Sequence, residues 1–246
     1  MRTMPHRQRA DILLVERGLF ESRTKAQAAI AAGLVTADDA PVRKASESVP
    51  INATLVAEPA FPWVSRGGMK LDDAIVRFGV PVMDRVCLDV GASTGGFAQV
   101  LLARGARRVY AVDVGADQLH PRLREEPRIV SLERMDIRAL DAAQLAAQPD
   151  FITIDVSFIS LKLVLPAAFT LAARPAHVLA LIKPQFEAPR ARIKKGIVRD
   201  PAVHEAVVAE IVAYAASLGC HDIVSFPSRI GGADGNREFF IGAKLG

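Results

Sequence analysis

The sequence predicts an α/β fold, a doubly wound and mostly parallel sheet, preceded by a small α+β domain. Three observations carry that reading. From Val86 onward short apolar runs alternate with helical repeats, as strand–helix–strand units require. One stretch, Cys87-Leu88-Asp89-Val90-Gly91-Ala92-Ser93-Thr94-Gly95-Gly96-Phe97, runs from a buried strand through a glycine turn into a helix. Residues Arg7 to about Glu58 differ in texture, with two short helical patterns followed by brief strand-like runs.

In a chain of 246 residues there is room for one large domain and a small one. Half the residues are hydrophobic, enough for a substantial core, yet no run of about 18 uncharged apolar residues suggests a transmembrane helix. The start, Met1-Arg2-Thr3-Met4-Pro5-His6-Arg7, is basic but leads into no signal-peptide core, so a cytoplasmic protein is expected. Cys87 and Cys220 fall on strands read as buried and are assigned to core packing rather than to a disulfide or metal site. A net charge of +4 is compatible with an anionic partner without demanding one.

In chain order, Ala10 to Arg17 forms a first helix stopped by Gly18, and Ser22 caps a second from Arg23 to Ala32, ended by Gly33. Leu34-Val35-Thr36, a turn at Asp38-Asp39, Val42 and Leu55-Val56 read as short strands. Six Lys/Arg face three acids in the first thirty residues, and Arg7, Arg9, Arg17, Arg23 and Lys25 would share one basic face. Pro59, Phe61, Pro62 and Trp63 mark a linker over residues 59–66, with Phe61 and Trp63 read as docking the two domains together. The next helix has the stripe Leu71, Ala74, Ile75 and Phe78 and stops at Gly79. Lys70 lies in its first turn, where the helix dipole disfavours a cation.

Strands follow at Arg85–Val90, Arg108–Val112, Ile129–Leu132, Phe151–Ile154 and His177–Ile182, with late strands at Ile223–Phe226 and Phe239–Ile241. Ser160 caps a helix through Leu171, and Pro201 begins another that buries Val203, Val207, Val208, Ile211, Val212 and Ala215. A long loop from Lys183 to Arg199 carries six basic residues and one acid, and a glycine-rich connection runs from Ser228 to Asn236.

What ends the five parallel strands is a glycine turn, Asp113, Asp136, Asp155 and Lys183. Open α/β sheets bind ligands at that carboxyl edge, so the row reads as a site. The turn is Gly91-x-x-x-Gly95-Gly96 and not the dinucleotide pattern, and no Gly-Lys-Ser/Thr follows it to cradle a phosphate. Asp113 suits a ribose diol and Asp136 an adenine amino group, while Asp89 or the turn amides would hold an amino-acid end. S-adenosylmethionine, which has all three parts and no phosphate, fits best. The expected cofactor residues are Asp89, Gly91, Ser93, Thr94, Gly95, Gly96, Phe97, Asp113 and Asp136.

Two resemblances add to this reading. The order Arg-Ala-Asp, Leu-Val-Glu-Arg-Gly-Leu, Ser-Arg-Thr-Lys-Ala-Gln over the first fifty residues resembles the alpha-L RNA-binding motif. The blocks Ser65-Arg66-Gly67-Gly68-x-Lys70-Leu71, Asp89 to Phe97, Asp155-Val156-Ser157-Phe158-Ile159-Ser160-Leu161, Lys183-Pro184-Gln185-Phe186-Glu187, Gly196-Ile197-Val198-Arg199-Asp200 and Gly235-Asn236-x-Glu238-Phe239 resemble the TlyA (haemolysin A) family. The catalytic part of that family is similar to the FtsJ/RrmJ ribose methyltransferases. The linker Phe61-Pro62-Trp63-Val64 departs from the family pattern.

The resemblance implies a Rossmann-like class I methyltransferase sheet of about seven strands, with domains at 1–58 and 67–246. It implies S-adenosylmethionine-dependent methylation of a ribose 2′-hydroxyl, on cytidine, in ribosomal RNA or ribosomal subunits. The catalytic set it implies is Lys70, Asp155, Lys183 and Glu238, with no metal. RNA contacts are expected from Arg7, Arg9, Arg17, Arg23, Lys25, Gln27 and Lys44, and from Arg66, Arg190, Arg192, Lys194 and Lys195. Two other classes stay open at this level. A catalytically silent RNA-binding or ribosome-assembly factor would lack part of the set of four, and a membrane-lytic protein would need an insertion helix.

Overall fold

The computed structural model describes residues 6–232 and 235–246; the basic start over residues 1–5, and residues 233–234 of the glycine-rich connection, lie outside the described residues. The chain divides into two compact units at Pro62–Trp63.

The smaller unit contains β1 (Arg7–Arg9), α1 (Ala10–Glu16), α2 (Arg23–Ala31), β2 (Val35–Ala37), β3 (Ala40–Pro41), β4 (Ser48–Pro50) and β5 (Leu55–Ala57). Asp38 and Asp39 both adopt positive φ, 49° and 63°, giving the tight turn that brings β3 back onto β2. β1 pairs with β4, two strands too short to show a period of their own. Leu13, Leu14, Phe20, Ala26, Ile30, Val35, Val42 and Val49 close the core of this unit.

At its centre is Asp11, fully buried in the first turn of α1. Its carboxylate accepts hydrogen bonds from Arg9 (3.0 Å), Arg23 (2.8 Å) and Gln27 (2.8 Å). These donors, above all the Arg9 guanidinium, hold the Asp11 carboxyl well below the usual carboxylate range. A carboxylate so depressed stabilises the fold above its ordinary pKa of about 4, and the contribution is lost as pH falls through the lower folded value. Asp11→Ala is expected to cost about 1–3 kcal/mol, since the two arginines it frees are half-exposed and re-solvate. Acid unfolding followed by amide exchange in α1 and α2 should begin at higher pH in the variant.

The larger unit begins with α3 (Gly67–Phe78), then β6 (Val86–Val90), α4 (Gly96–Ala103), β7 (Arg108–Val112), α5 (Pro121–Arg124), β8 (Ile129–Leu132), β9 (Phe151–Ile154) and α6 (Leu161–Leu171). It continues through β10 (Ala176–Ile182), α7 (Pro184–Glu187), α8 (Pro201–Ser217), β11 (Cys220–Pro227) and β12 (Phe239–Leu245). Seven strands form one sheet in the order β11-β12-β10-β9-β6-β7-β8. β8, β7, β6, β9 and β10 run parallel, whereas β12 is antiparallel to both β10 and β11. Successive residues of β6 face opposite sides: Leu88 and Val90 belong to the core shared with α6 and α8, while Cys87 belongs to the core shared with α3 and α4. Helices on both faces bury the central strands, as in Phe151–Ile154, which is buried at every position.

Trp63 packs within the larger unit, its ring lying over Gly68, where an added Cβ would sit 2.5 Å from the indole. The stretch read as a long loop from Lys183 to Arg199 is instead organised, with α7, a 3-10 turn at Arg190–Arg192 and a bridge between Lys194 and Ile197. No piece is longer than about one turn, so periodicity could not show it. Among the described residues, no helix is long and apolar enough to cross a membrane.

Candidate active site

Strand order places a topological switch between β6 and β9, because the chain goes from β6 to β7 and β8 on one side and to β9 and β10 on the other. Ligands of open α/β sheets bind at the carboxyl ends of strands at such a point. Here Gly91 follows β6 and Asp155 follows β9. Gly91 has φ 84°, and a Cβ on it would lie 2.4 Å from the Asp155 carbonyl oxygen. Gly91→Ala is therefore expected to push the two strand ends apart and abolish ligand binding by calorimetry, beyond the roughly 1–2 kcal/mol of left-handed backbone strain.

A cavity of about 410 Å³ opens beside this junction. Its walls include Gly91, Ser93, Asp113, Asp136, Asp155 and Phe158, with apolar surface from Val112 and Ile137. Among the described residues, three carboxylates and no lysine or arginine line it. Arg138 pairs with Asp136 and Lys183 with Asp155 from outside the lining, so the wall offers a phosphate no cation and keeps Asp113 as its uncompensated charge. Asp113 is fixed by the N–H groups of Ser93 and Gly115, each at 2.7 Å, which ties the glycine turn to the end of β7. Arg138 occupies both oxygens of Asp136 and, with its own N–H, lowers that carboxyl to about 2.

The other residues of the glycine stretch stand behind the cavity wall. Asp89 is fully buried on β6, accepts from the Thr153 hydroxyl at 2.9 Å, and is pushed up to about 7 by burial. Gly95 lies under Leu119 and Leu123, and Gly96 against Ser65 and the Gly68 backbone, so any Cβ there would collide with helix packing. Phe97 stacks on Phe240 in the core, and Thr94 is exposed. None of Asp89, Thr94, Gly95, Gly96 and Phe97 lines the cavity.

The four charged residues lie at the same edge as two ion pairs. Lys70 donates to Glu238 Oε2 at 2.5 Å, with both side chains buried. Lys183 Nζ is 2.5 Å from Asp155 Oδ1 and donates to Ser157 Oγ at 3.0 Å. Backbone register explains the grouping. Ile182 faces Phe239 across the antiparallel β10–β12 pair, so Lys183 and Glu238 leave the sheet side by side. Gly232 passes over Glu238 so closely that a Cβ would meet Oε1 at 2.3 Å.

Phe158 is a site candidate that sequence reasoning passed over. It is 90 % exposed, holds positive φ of 66°, lines the cavity, and touches Phe186 at 5.0 Å between ring centroids. An exposed aromatic in a strained conformation has no packing explanation. Its signal was its place three residues after Asp155, inside a block already quoted.

Residues 63–245 match the model of the FtsJ-like methyltransferases, and residues 8–55 match the S4 domain. The chain belongs to the FtsJ-like methyltransferase family. It is 45% identical over 243 residues to YqxC of Bacillus subtilis, spanning 96% of this chain and 85% of that one. It is 42% identical over 241 residues to the 16S/23S rRNA (cytidine-2′-O)-methyltransferase TlyA of Mycobacterium tuberculosis, spanning 97% and 90%. A solved structure from Streptococcus thermophilus that carries the name hemolysin superposes with a TM-score of 0.78 at 40% identity, over 99% of this chain and 90% of that one.

In this FtsJ-like methyltransferase the side chains expected to meet RNA fall into two sets. In the S4 unit, Arg9, Arg23 and Gln27 are folded onto Asp11, Lys25 pairs with Glu21 at 2.5 Å, and Arg7 and Arg17 donate to the carbonyls of Ser48 and Ile51. Lys44 is exposed. In the methyltransferase unit, Arg66, Arg190, Arg192, Lys194 and Lys195 are all exposed.

Proposed function

We propose that this protein transfers a methyl group from S-adenosylmethionine to the 2′-hydroxyl of a cytidine ribose in ribosomal RNA. The observation that carries the reading is a carboxylate-lined cavity at the switch point together with the Lys183–Asp155 pair at its side. The relatives named for ribosomal RNA methylation and the S4 match supply the substrate class. We take residues 1–58 as the RNA-binding domain, 59–66 as a linker and 67–246 as the catalytic domain.

The cavity residues fit the cofactor. The Gly91 backbone lets a ligand approach the strand end, Asp113 presents a carboxylate to a ribose diol, and Asp136 to an adenine edge. Bound there, S-adenosylmethionine supplies an electrophilic methyl on a positively charged sulfur. Asp89, Gly95, Gly96 and Phe97 then act as the rigid backing of the turn.

Lys183 is placed to handle the ribose hydroxyl. The Lys183 ammonium donates to Ser157 Oγ and forms an ion pair with Asp155, leaving a further N–H for the 2′-oxygen. Once the ammonium has passed one proton to the Asp155 carboxylate 2.5 Å away, the neutral amine turns its lone pair to the 2′-hydroxyl and takes that proton as the oxygen attacks. The net proton acceptor is the Asp155 carboxylate. The Lys70–Glu238 pair, buried alongside, holds the edge rigid and balances charge.

Phe158 offers its face to a nucleobase, and stacking on an exposed ring is worth about 1–3 kcal/mol per base. Phe158→Ala is expected to raise KM for RNA about ten-fold or more with thermal stability unchanged, because the ring is almost fully exposed. The overall reading is tested by mapping ribose methylation in ribosomal RNA from cells with and without the gene. Unchanged methylation would overturn it, as would calorimetric preference for a nicotinamide dinucleotide over S-adenosylhomocysteine.

A further inference from the structure

Between the exposed basic residues and the buried Glu238 stands one side chain that the proposed chemistry leaves unused. Lys194 and Ile197 exchange both backbone hydrogen bonds at 3.0 Å, closing a two-residue hairpin whose tip is Lys195-Gly196. Both tip residues have positive φ, 51° and 77°, the conformation such a turn requires and one that lysine adopts only under strain. The tip is therefore held from outside. Asn236, 4 % exposed, donates from Nδ2 to the Gly196 carbonyl at 3.0 Å and accepts at Oδ1 from the Val198 N–H at 3.3 Å. His204, equally buried on α8, donates from Nε2 to the Val198 carbonyl at 2.9 Å. Residues 196–198 are gripped from both sides, and two residues beyond Asn236 the chain reaches Glu238 and its bond to Lys70.

We infer that Asn236 is a positioning residue for methyl transfer, fixing the basic hairpin relative to the Lys70–Glu238 pair so that an RNA phosphate held by Lys194 and Lys195 sets the target ribose at Lys183. The inference rests on the methyltransferase reading. A side-chain amide is required because it meets a carbonyl and an N–H of one strand together. Asp at this position would still accept from Val198 but would set a carboxylate oxygen against the Gly196 carbonyl.

The test uses the full-length protein and Asn236→Asp, which is nearly isosteric. Native-state trypsin cleavage after Lys194 and Lys195 is expected to accelerate about ten-fold, the equivalent of one lost buried hydrogen bond. KM for ribosomal RNA should rise and kcat fall, while S-adenosylhomocysteine affinity stays within about two-fold. In a Lys194→Ala/Lys195→Ala background, both positions being exposed, Asn236→Asp should add no further rise in KM. Unchanged cleavage, unchanged kinetics, full additivity in that background, or parallel loss of S-adenosylhomocysteine binding would each overturn the inference. A wild-type protein that cleaves and binds S-adenosylhomocysteine as expected but methylates no RNA would overturn the functional reading, and positioning with it.

Discussion

Lys183→Ala is expected to reduce methylation by about 10²- to 10⁴-fold, the usual contribution of a group that moves the reacting proton. Cofactor affinity should stay within a few-fold, since Lys183 does not line the carboxylate-walled cavity. The lysine side chain is only 11 % exposed, so its removal also frees the Asp155 carboxylate it pairs with. For that reason Lys183→Arg is the sharper variant. Arginine keeps a positive charge beside Asp155, but its guanidinium gives up no proton near neutrality and has a different shape. Single-turnover rates with saturating cofactor and RNA should fall for both variants. An alanine variant with a third or more of the parental rate would remove Lys183 from the chemistry. An active arginine variant would keep Lys183 as a charge stabiliser and remove it as a proton carrier.

Glu238→Ala is expected to be the most destabilising single change at this edge. It strands the Lys70 ammonium, 9 % exposed, in a site that excludes water. Breaking one side of a buried ion pair costs about 3–5 kcal/mol, because the remaining charge has neither solvent nor partner. Replacing both members with apolar residues, as in Lys70→Met/Glu238→Leu, should recover most of that stability. If the pair takes part in methylation, the double variant folds well and remains inactive. Chemical denaturation and methylation of the same three proteins separate the two contributions. A double variant that regains activity along with stability would reduce the pair to a structural role.

The fold class was legible in residues 86–182 because each strand is a largely apolar run closed by a glycine turn or a charge, and each helix ends at a glycine or begins at a cap. Those are local signals, written within one period of the structure they describe. The small unit was legible in its helices and less so in its strands, since β1 and β4 have three residues each and pair across about forty positions. Sequence likewise put Lys70, Asp155, Lys183 and Glu238 in one candidate set. It had no means to say that they divide into Lys70–Glu238 and Lys183–Asp155, because partners are set by sheet order and by the antiparallel return of β12.

The glycines show the same division. Sequence marked Gly91, Gly95 and Gly96 alike as places where backbone comes close to something. Only the packed structure separates them: Gly91 lies against the end of β9 at the cavity, whereas Gly95 and Gly96 lie beneath neighbouring helices. Asp11 went unremarked for the complementary reason. A lone acid among arginines reads as charge balance on a surface, and its role as a buried hub follows from β1, α1 and α2 folding their donors inward. The sequence by itself determined the order of strands, helices and chemical groups along the chain. The tertiary structure decided which groups meet, because contact depends on strand order and burial, and both are properties of the assembled sheet and helices.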